Sequence, residues 1–408
     1  MRWMSNARWR QRLSPEQIIW IVGLGVALSL PGDLTLYIVL PTHTGQAGIA
    51  LADVGLMLSA NRLIRLFLNS PFGVLIERIP RRRMAVPALF LGGCSSLLYT
   101  IPGFWPLLIG RLLWGTAWAG LWLSASTITL DISTRETRGR LVGRLQMWYF
   151  IGMGASSLAG GALTDWLGYI DTFKICAAIT LFSAIMWWLF LPETHQHHPA
   201  RPGPESPLEL PDQYTSRSAL IIAVVLLGVN WLIFLGILGA VLPLLLQERI
   251  GESVALIGLM IPLATFTGAL SAGNQIVSLI TSPLAGWLSD ASHQRWGLVV
   301  FALLLGVAAL GLTAVGTGLV VVLATMLGAV TTSILQTQVM TLIGDHSAAN
   351  QRGRILGILN TIGDLGSAAG PLLAYALLPL IHLSGVFWAA AVVLALMLPS
   401  TIWIARQE

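Results

Sequence analysis

The stretch Gly73-Val-Leu-Ile-Glu77-Arg78-Ile-Pro80-Arg81-Arg82 closes one apolar run and precedes the next. A fainter copy, Gly286-Trp-Leu-Ser-Asp290 with Arg295 close behind, begins 213 residues after Gly73. Arg138-Gly139-Arg140-Leu-Val-Gly143 returns as Arg352-Gly353-Arg354-Ile-Leu-Gly357, displaced by 214. Asp131 and Asp345 keep that spacing, as do Gly152 and Gly366. The chain is an internal duplication, and each half must be explained by the same physics.

That physics is the bilayer. Of 408 residues, 55% are apolar and only 10% charged, with a mean hydropathy of +0.77. A soluble domain of this size needs more charge to cover its surface. Apolar runs of about 20 residues recur from end to end, each enough to cross a hydrocarbon core of about 30 Å. A β-barrel would instead alternate over segments of about ten residues. The composition predicts an all-α polytopic membrane protein.

The net charge of +5 is no nucleic-acid footprint, because of where it lies. Arg2, Arg8, Arg10 and Arg12 precede the first run, Arg78 and Arg81–Arg83 follow the second, and Arg135–Arg144 follow the fourth. Arg201 and Arg217 flank the middle, and Arg295, Arg352, Arg354 and Arg406 continue the alternation. The positive-inside rule puts both termini and the linker in the cytoplasm. The first run is too long for a removable leader and is expected to stay as an anchor. Cys94 and Cys176 lie in apolar helices, and both are expected to be packed and inert.

Twelve spans are expected, near 17–41, 54–76, 84–102, 105–130, 141–164, 172–191, 218–246, 267–288, 296–315, 318–343, 355–379 and 383–405. They divide into a six-helix bundle over 1–192, a polar, proline-rich linker over 193–216 and a second bundle over 217–408. His195, His197 and His198 in that linker read as solvated residues, since nothing nearby completes a metal-ligand set. The segment 247–266 has no match in the first half and is expected to fold as a short outer helix or lid.

On these residues the chain resembles the major facilitator superfamily over essentially its whole length. The family's loop signature is a glycine, three residues, an acid, Arg, any residue, Gly and two basic residues. Gly73, Glu77, Arg78, Arg81 and Arg82 fit it, with Glu for the commoner Asp and Pro80 in the usual Gly place. The resemblance implies a cytoplasmic gate there, completed by Asp131, Asp290 and Asp345 at comparable helix ends. Arg111 with Gly115 is similar to the family's intramembrane Arg motif, and Asp33-x7-Pro41 is similar to the aspartate motif of proton-coupled drug exporters. The antiporter pattern Gly-x3-Gly-Pro-x2-Gly-Gly of the fifth helix is reduced here to Gly152-x3-Ser156-Ser157-x2-Gly160-Gly161. Its fuller form, Gly366-x3-Gly370-Pro371, stands in the second half.

Charges inside a span are expensive and point to function. Asp33, Arg62, Arg65, Arg111 and Asp364 are the candidates. Asp33 and Arg62 lie roughly 12 Å from the outer ends of their helices and Arg111 roughly 9 Å, so Asp33 can pair with either arginine. Burial raises and a facing guanidinium lowers the proton affinity of a carboxyl, which makes Asp33 the proton-site candidate and Asp364 a second. The surplus of arginines leaves an anion carrier open, with Arg62 or Arg65 as ligands and Asn61, Asn274 and Gln275 as polar contacts. Trp105 and Trp166 fall at helix ends as interfacial anchors. Trp114, Trp118, Trp122, Trp148 and Trp231 either line a cavity for a flat drug or face lipid.

The expected function is therefore secondary active transport by alternating access: proton-coupled export of small hydrophobic or cationic compounds, or transport of an organic or inorganic anion. A non-transporting receptor of the same fold is a third reading. No cofactor, metal or enzymatic role is expected, because no metal-ligand spacing, nucleophile elbow or phosphate-cradling loop is present. The expected partners are a small-molecule substrate, protons and the lipid of the plasma membrane around a monomer.

Overall fold

The computed structural model describes residues 13–134, 137–194, 214–256, 259–292, 294–345 and 352–406. His195, His197, His198 and most of the expected linker lie outside the described residues. So do the side chains of Asp290 and Asp345, whose helices are described by their backbone.

The first span is two helices, α1 (Pro15–Ser29) and α2 (Pro31–Val39). The short α3 (Thr44–Ala47) and a 3₁₀ turn (Leu51–Asp53) lead into α4 (Val54–Arg78), α5 (Arg81–Leu98), α6 (Phe104–Asp131), α7 (Arg138–Leu167) and α8 (Tyr169–Phe190). The second half begins with α9 (Tyr214–Asn230), which passes into a π-helical segment, Trp231–Leu238, and then α10 (Gly239–Ile250). It continues with α11 (Leu263–Ser292), α12 (Arg295–Val315), α13 (Leu319–Asp345), α14 (Arg352–Ala395) and α15 (Leu398–Ala405). Within α14, His382 has φ 54°, ψ 174°, which separates the eleventh span from the twelfth. Seven of these stretches are long and apolar enough to cross a membrane by length and composition alone. The long described helices not among them, α4 to α7, carry most of the first half's arginines and much of its tryptophan.

Local chemistry sets the boundaries. Ser14 and Gln17 form a reciprocal capping box at the start of α1, and Pro15 at the first helical position loses no needed N–H. Pro31 has no N–H to continue that ladder, so α1 stops at Ser29 and α2 restarts. Gly168 alone joins α7 to α8 at φ 84°, a conformation that side chains with a Cβ avoid.

The chain divides into two compact units, one of Met1–Ala50 with Leu63–Pro199, the other of Leu51–Arg62 with Ala200–Glu408. In the first, Ile19, Val22, Leu89, Ala125, Leu145 and Trp187 from five helices form the main core. Gly25 leaves room for the Trp187 indole, whose Nε1 donates to the Ile21 carbonyl at 2.9 Å. In the second, Trp296, Leu303, Ala309, Phe387 and Leu394 are buried between α12 and α14. Large apolar side chains such as Phe67, Phe182, Leu304 and Trp388 are exposed, as lipid-facing helix surfaces require.

Two expectations need correction. The short outer helix expected within 247–266 is not what the described residues there form: Ser253–Leu256 (β1) pairs antiparallel with Leu259–Pro262 (β2), register Ser253 to Pro262. Gly251 at φ 98° ends α10 and lets the chain turn into strand geometry. Cys94 is exposed rather than packed, while Cys176 is buried with its Sγ 3.7 Å from Thr35 Oγ1. Of the two readings left open for the intramembrane tryptophans, lipid-facing does not hold for Trp114, which is buried; it continues into a row with Trp118 and Trp122 that reaches Tyr149 inside the first unit.

Candidate functional site

The first unit holds a buried ion pair. Arg111 Nη1 donates to Asp33 Oδ1 at 2.5 Å, the guanidinium wholly enclosed and the carboxylate side chain 14% exposed. Asp33 lies in the first turn of α2, just past the break at Pro31, where the free N–H groups of a helix start favour negative charge. Arg111 also reaches the Tyr37 hydroxyl at 3.5 Å and sits 5.4 Å from the centre of that ring. Tyr99 lies within electrostatic reach of both charged groups and accepts from Ser95 Oγ at 3.1 Å. Gly110 admits the Tyr99 ring, because a Cβ there would come within 2.6 Å of it. Tyr37 was missed in the sequence reading, although it stands one turn after Asp33 on the same helix face.

At the end of that unit carrying the loop motif, Arg81 Nε donates to Asp131 Oδ2 at 3.0 Å and its guanidinium to the Ile76 carbonyl. Arg82 reaches the Trp188 carbonyl. Glu193, also missed, accepts from the backbone N–H of Arg81 at 2.9 Å and of Arg82 at 3.2 Å, capping α5 from a distant segment. Its signal was an acid just after the sixth span, opposite three consecutive arginines. Glu77 and Arg78 are exposed and form no ion pair among the described residues, and a Cβ at Gly73 would meet nothing within 4 Å.

In the second unit, Arg62 Nη1 donates to the Ser367 carbonyl at 2.8 Å, and Ser59 Oγ donates to the Ala368 carbonyl at 2.6 Å. Asn61 and Arg62 are buried, and Asp364 is 7% exposed, one turn before Ser367 on α14. Arg65 is half-buried on the part of α4 grouped with the first unit. Asn274 and Gln275 are half-buried on α11, and the enclosed Oδ1 of Asn274 meets no partner among the described residues.

The duplicated glycine patterns now have a physical meaning. On α7, a Cβ at Gly152 would strike the Ala27 backbone at 2.6 Å, and one at Gly160 would strike Thr35. On α14, a Cβ at Gly366 would lie 2.5 Å from the Gly228 carbonyl, and one at Gly236 would lie 2.8 Å from Gly370 Cα. In each unit a small-residue groove seats the unit's first span where that span departs from regular α geometry.

Two units built of long apolar helices on a repeated sequence, with a buried carboxylate–guanidinium pair inside one, have the makings of a polytopic membrane carrier. The sequence profile described as Major Facilitator Superfamily matches residues 22–273 and 264–408, and the chain belongs to that family. It is 27% identical over 374 residues to a class G tetracycline resistance protein of Vibrio anguillarum, covering 87% of each chain. It is 23% identical over 330 residues to a 4-hydroxybenzoate transporter of Pseudomonas aeruginosa, covering 74% of this chain and 71% of the other. Among solved structures, a bacterial homologue of the human lysosomal transporter Spinster, inward-facing and occupied, superposes with a TM-score of 0.80 at 16% identity, covering 96% of this chain and 97% of that one.

Proposed function

We propose that this chain is a secondary active carrier that couples proton movement to the export of small hydrophobic or cationic compounds by alternating access. The Asp33–Arg111 contact carries the reading. The carboxylate retains partial access while its guanidinium partner is enclosed, so a proton can reach the acid without the cation being hydrated. Protonation removes the charge-assisted component of the contact, which favours whichever state makes fewer demands on it. Asp364 is the second proton candidate. Arg81, Asp131 and Glu193, with Glu77, Arg78, Arg82, Asp290 and Asp345, form the gate region at the cytoplasmic ends of the helices. Two six-helix bundles, 1–192 and 217–408, joined by 193–216, work as a monomer in the plasma membrane with both termini cytoplasmic. A relative named for tetracycline resistance supports the export reading.

One observation favours a second reading, transport of an organic anion through Arg62 and Arg65: a relative is named as a 4-hydroxybenzoate transporter. Against it, Arg62 already commits one Nη group to the Ser367 carbonyl, which leaves less of its fork for a ligand. The deciding experiment follows lumenal pH in proteoliposomes given tetracycline, tetraphenylphosphonium or 4-hydroxybenzoate. Proton movement with the first two, lost in Asp33→Asn, is the expected result. Movement with 4-hydroxybenzoate alone, unaffected by Asp33→Asn, would replace it with the anion reading.

A further inference from the structure

Asn230, the last residue of α9, is fully buried in the second unit. Its Oδ1 accepts from Thr332 Oγ1 at 2.8 Å, while its enclosed Nδ2 meets no acceptor among the described residues. A threonine hydroxyl can donate or accept, so whichever end of the amide it takes, the other end is left over. An enclosed amide donor with its bond unmade is costly, and an aliphatic side chain would suit this apolar run better for folding alone. Thr331, next to that partner on α13, is also fully buried, and its Oγ1 is equally without a partner among the described residues. Thr331 Cγ2 and the Phe234 ring both border the space at Gly306, which brings Thr331 into the neighbourhood of the segment that follows Asn230.

The backbone supplies an independent observation. The π-helical segment starts at Trp231, immediately after Asn230. Wide turns of this kind concentrate at functional sites. The segment rests on glycines of α14: Trp231 covers Gly363, and Gly236 lies against Gly370. The extra residue of a π turn can migrate along a helix, and each step rotates the residues it passes by about 100°. A glycine bed opposes such a rotation less than interlocked side chains do.

The geometry points to Asn230 as a ligand contact: its amide N–H groups take an oxygen acceptor of the carried molecule, a carbonyl, carboxylate or phenolate, with the Thr332 hydroxyl beside it. This rests on the reading of the chain as a small-molecule carrier. It assigns neutral hydrogen-bond recognition to the second unit and leaves the Asp33–Arg111 charge pair to the first.

Two measurements test it. In a background with Cys94→Ser and Cys176→Ser, Asn230→Cys and Ile233→Cys are exposed in proteoliposomes to 2-aminoethyl methanethiosulfonate. Ile233 is fully buried in the π-helical segment and controls for general opening of that stretch. Modification at position 230 at least about tenfold faster than at 233 is expected, and Thr332→Cys provides the same readout if Asn230→Cys does not fold. Equal rates, or no reaction at 230 and 332, overturn the site. Separately, Asn230→Leu should weaken tetracycline binding about tenfold and leave tetraphenylphosphonium, which has no oxygen, unchanged. Unchanged affinity for tetracycline overturns the site as well. A protein that binds neither probe is not a carrier of these compounds, and the modification rates then decide the site independently.

Discussion

Asp33 Oδ1 and Arg111 Nη1 meet at 2.5 Å with the guanidinium wholly enclosed, so the cation depends on the acid far more than the acid depends on the cation. Removing one partner of such a pair strands the other in a medium that cannot hydrate it, at about 3–5 kcal/mol. Asp33→Ala should therefore lower thermal stability sharply in detergent. Asp33→Asn keeps an oxygen acceptor facing Arg111, so it should fold with a much smaller loss while transport becomes independent of pH. Thermal unfolding of both variants, beside the pH dependence of probe flux, separates the structural cost from the coupling. Equal stability of Asp33→Ala and the parent protein would contradict the buried pair.

Glu193 bridges the backbone N–H groups of Arg81 and Arg82 at the positive end of α5, a helix whose first turn carries three arginines and no acid. A carboxylate there satisfies two unpaired donors and offsets the repulsion between like charges and the helix end. Glu193→Ala should cost about 1–2 kcal/mol, and Glu193→Gln less, since the amide still accepts through one oxygen. Raising the salt concentration should narrow the gap between parent and Glu193→Gln, because the charge component at an exposed site is screened. A gap insensitive to salt would assign the whole effect to hydrogen bonding.

What could be read in advance follows from where the information sits. The spans were legible because hydrophobic length is a property of contiguous residues, and the duplication because Arg138-Gly139-Arg140 and Arg352-Gly353-Arg354 are themselves contiguous. Asp33 was legible as an intramembrane acid, but Arg62 and Arg111 stood at similar depth, and one-dimensional depth carries no azimuth. The structure gives Asp33 an Arg111 contact, and gives Arg62 a contact with Ser367, 305 residues away in sequence. Glu193 looked like part of a polar linker because its partners are backbone groups, which leave no mark on sequence. The π-helical segment was unreadable for a related reason: Trp231–Leu238 is uniformly apolar apart from one glycine, so its periodicity suits either kind of helix. Asn230 was the one available signal, a lone amide inside an apolar run.

Gly370 and Gly73 belong to two different sequence motifs, and their surroundings differ as well. Gly370 Cα lies 2.8 Å from where a Cβ on Gly236 would stand, whereas a Cβ on Gly73 would meet nothing. Gly370→Ala must push two helix backbones apart, at about 1–3 kcal/mol. Gly73→Ala sits in an open helical position and should stabilise by up to about 1 kcal/mol through the lost freedom of glycine. The two substitutions are expected to shift the unfolding temperature in opposite directions. Gly73→Ala that abolishes flux while raising stability would mark that glycine as needed for motion.

Arg62 distinguishes a structural arginine from an anion ligand. Its Nη1 donates to the Ser367 carbonyl at 2.8 Å, and Ser59 on the same helix donates to Ala368, so two adjacent carbonyls of α14 are held from α4. Both carbonyls lie just before Gly370-Pro371, and proline has no N–H to bond back along the helix, so the ladder there is one donor short. A charged donor on such an acceptor is worth about 1.5–3 kcal/mol. Arg62→Gln should therefore reduce stability while lowering flux of cationic and anionic probes by a common factor. Arg62→Lys should recover part of that stability, because a single ammonium can reach one carbonyl but lacks the planar fork. Loss confined to 4-hydroxybenzoate flux, at unchanged stability, would instead make Arg62 a substrate ligand and turn the function toward anion transport.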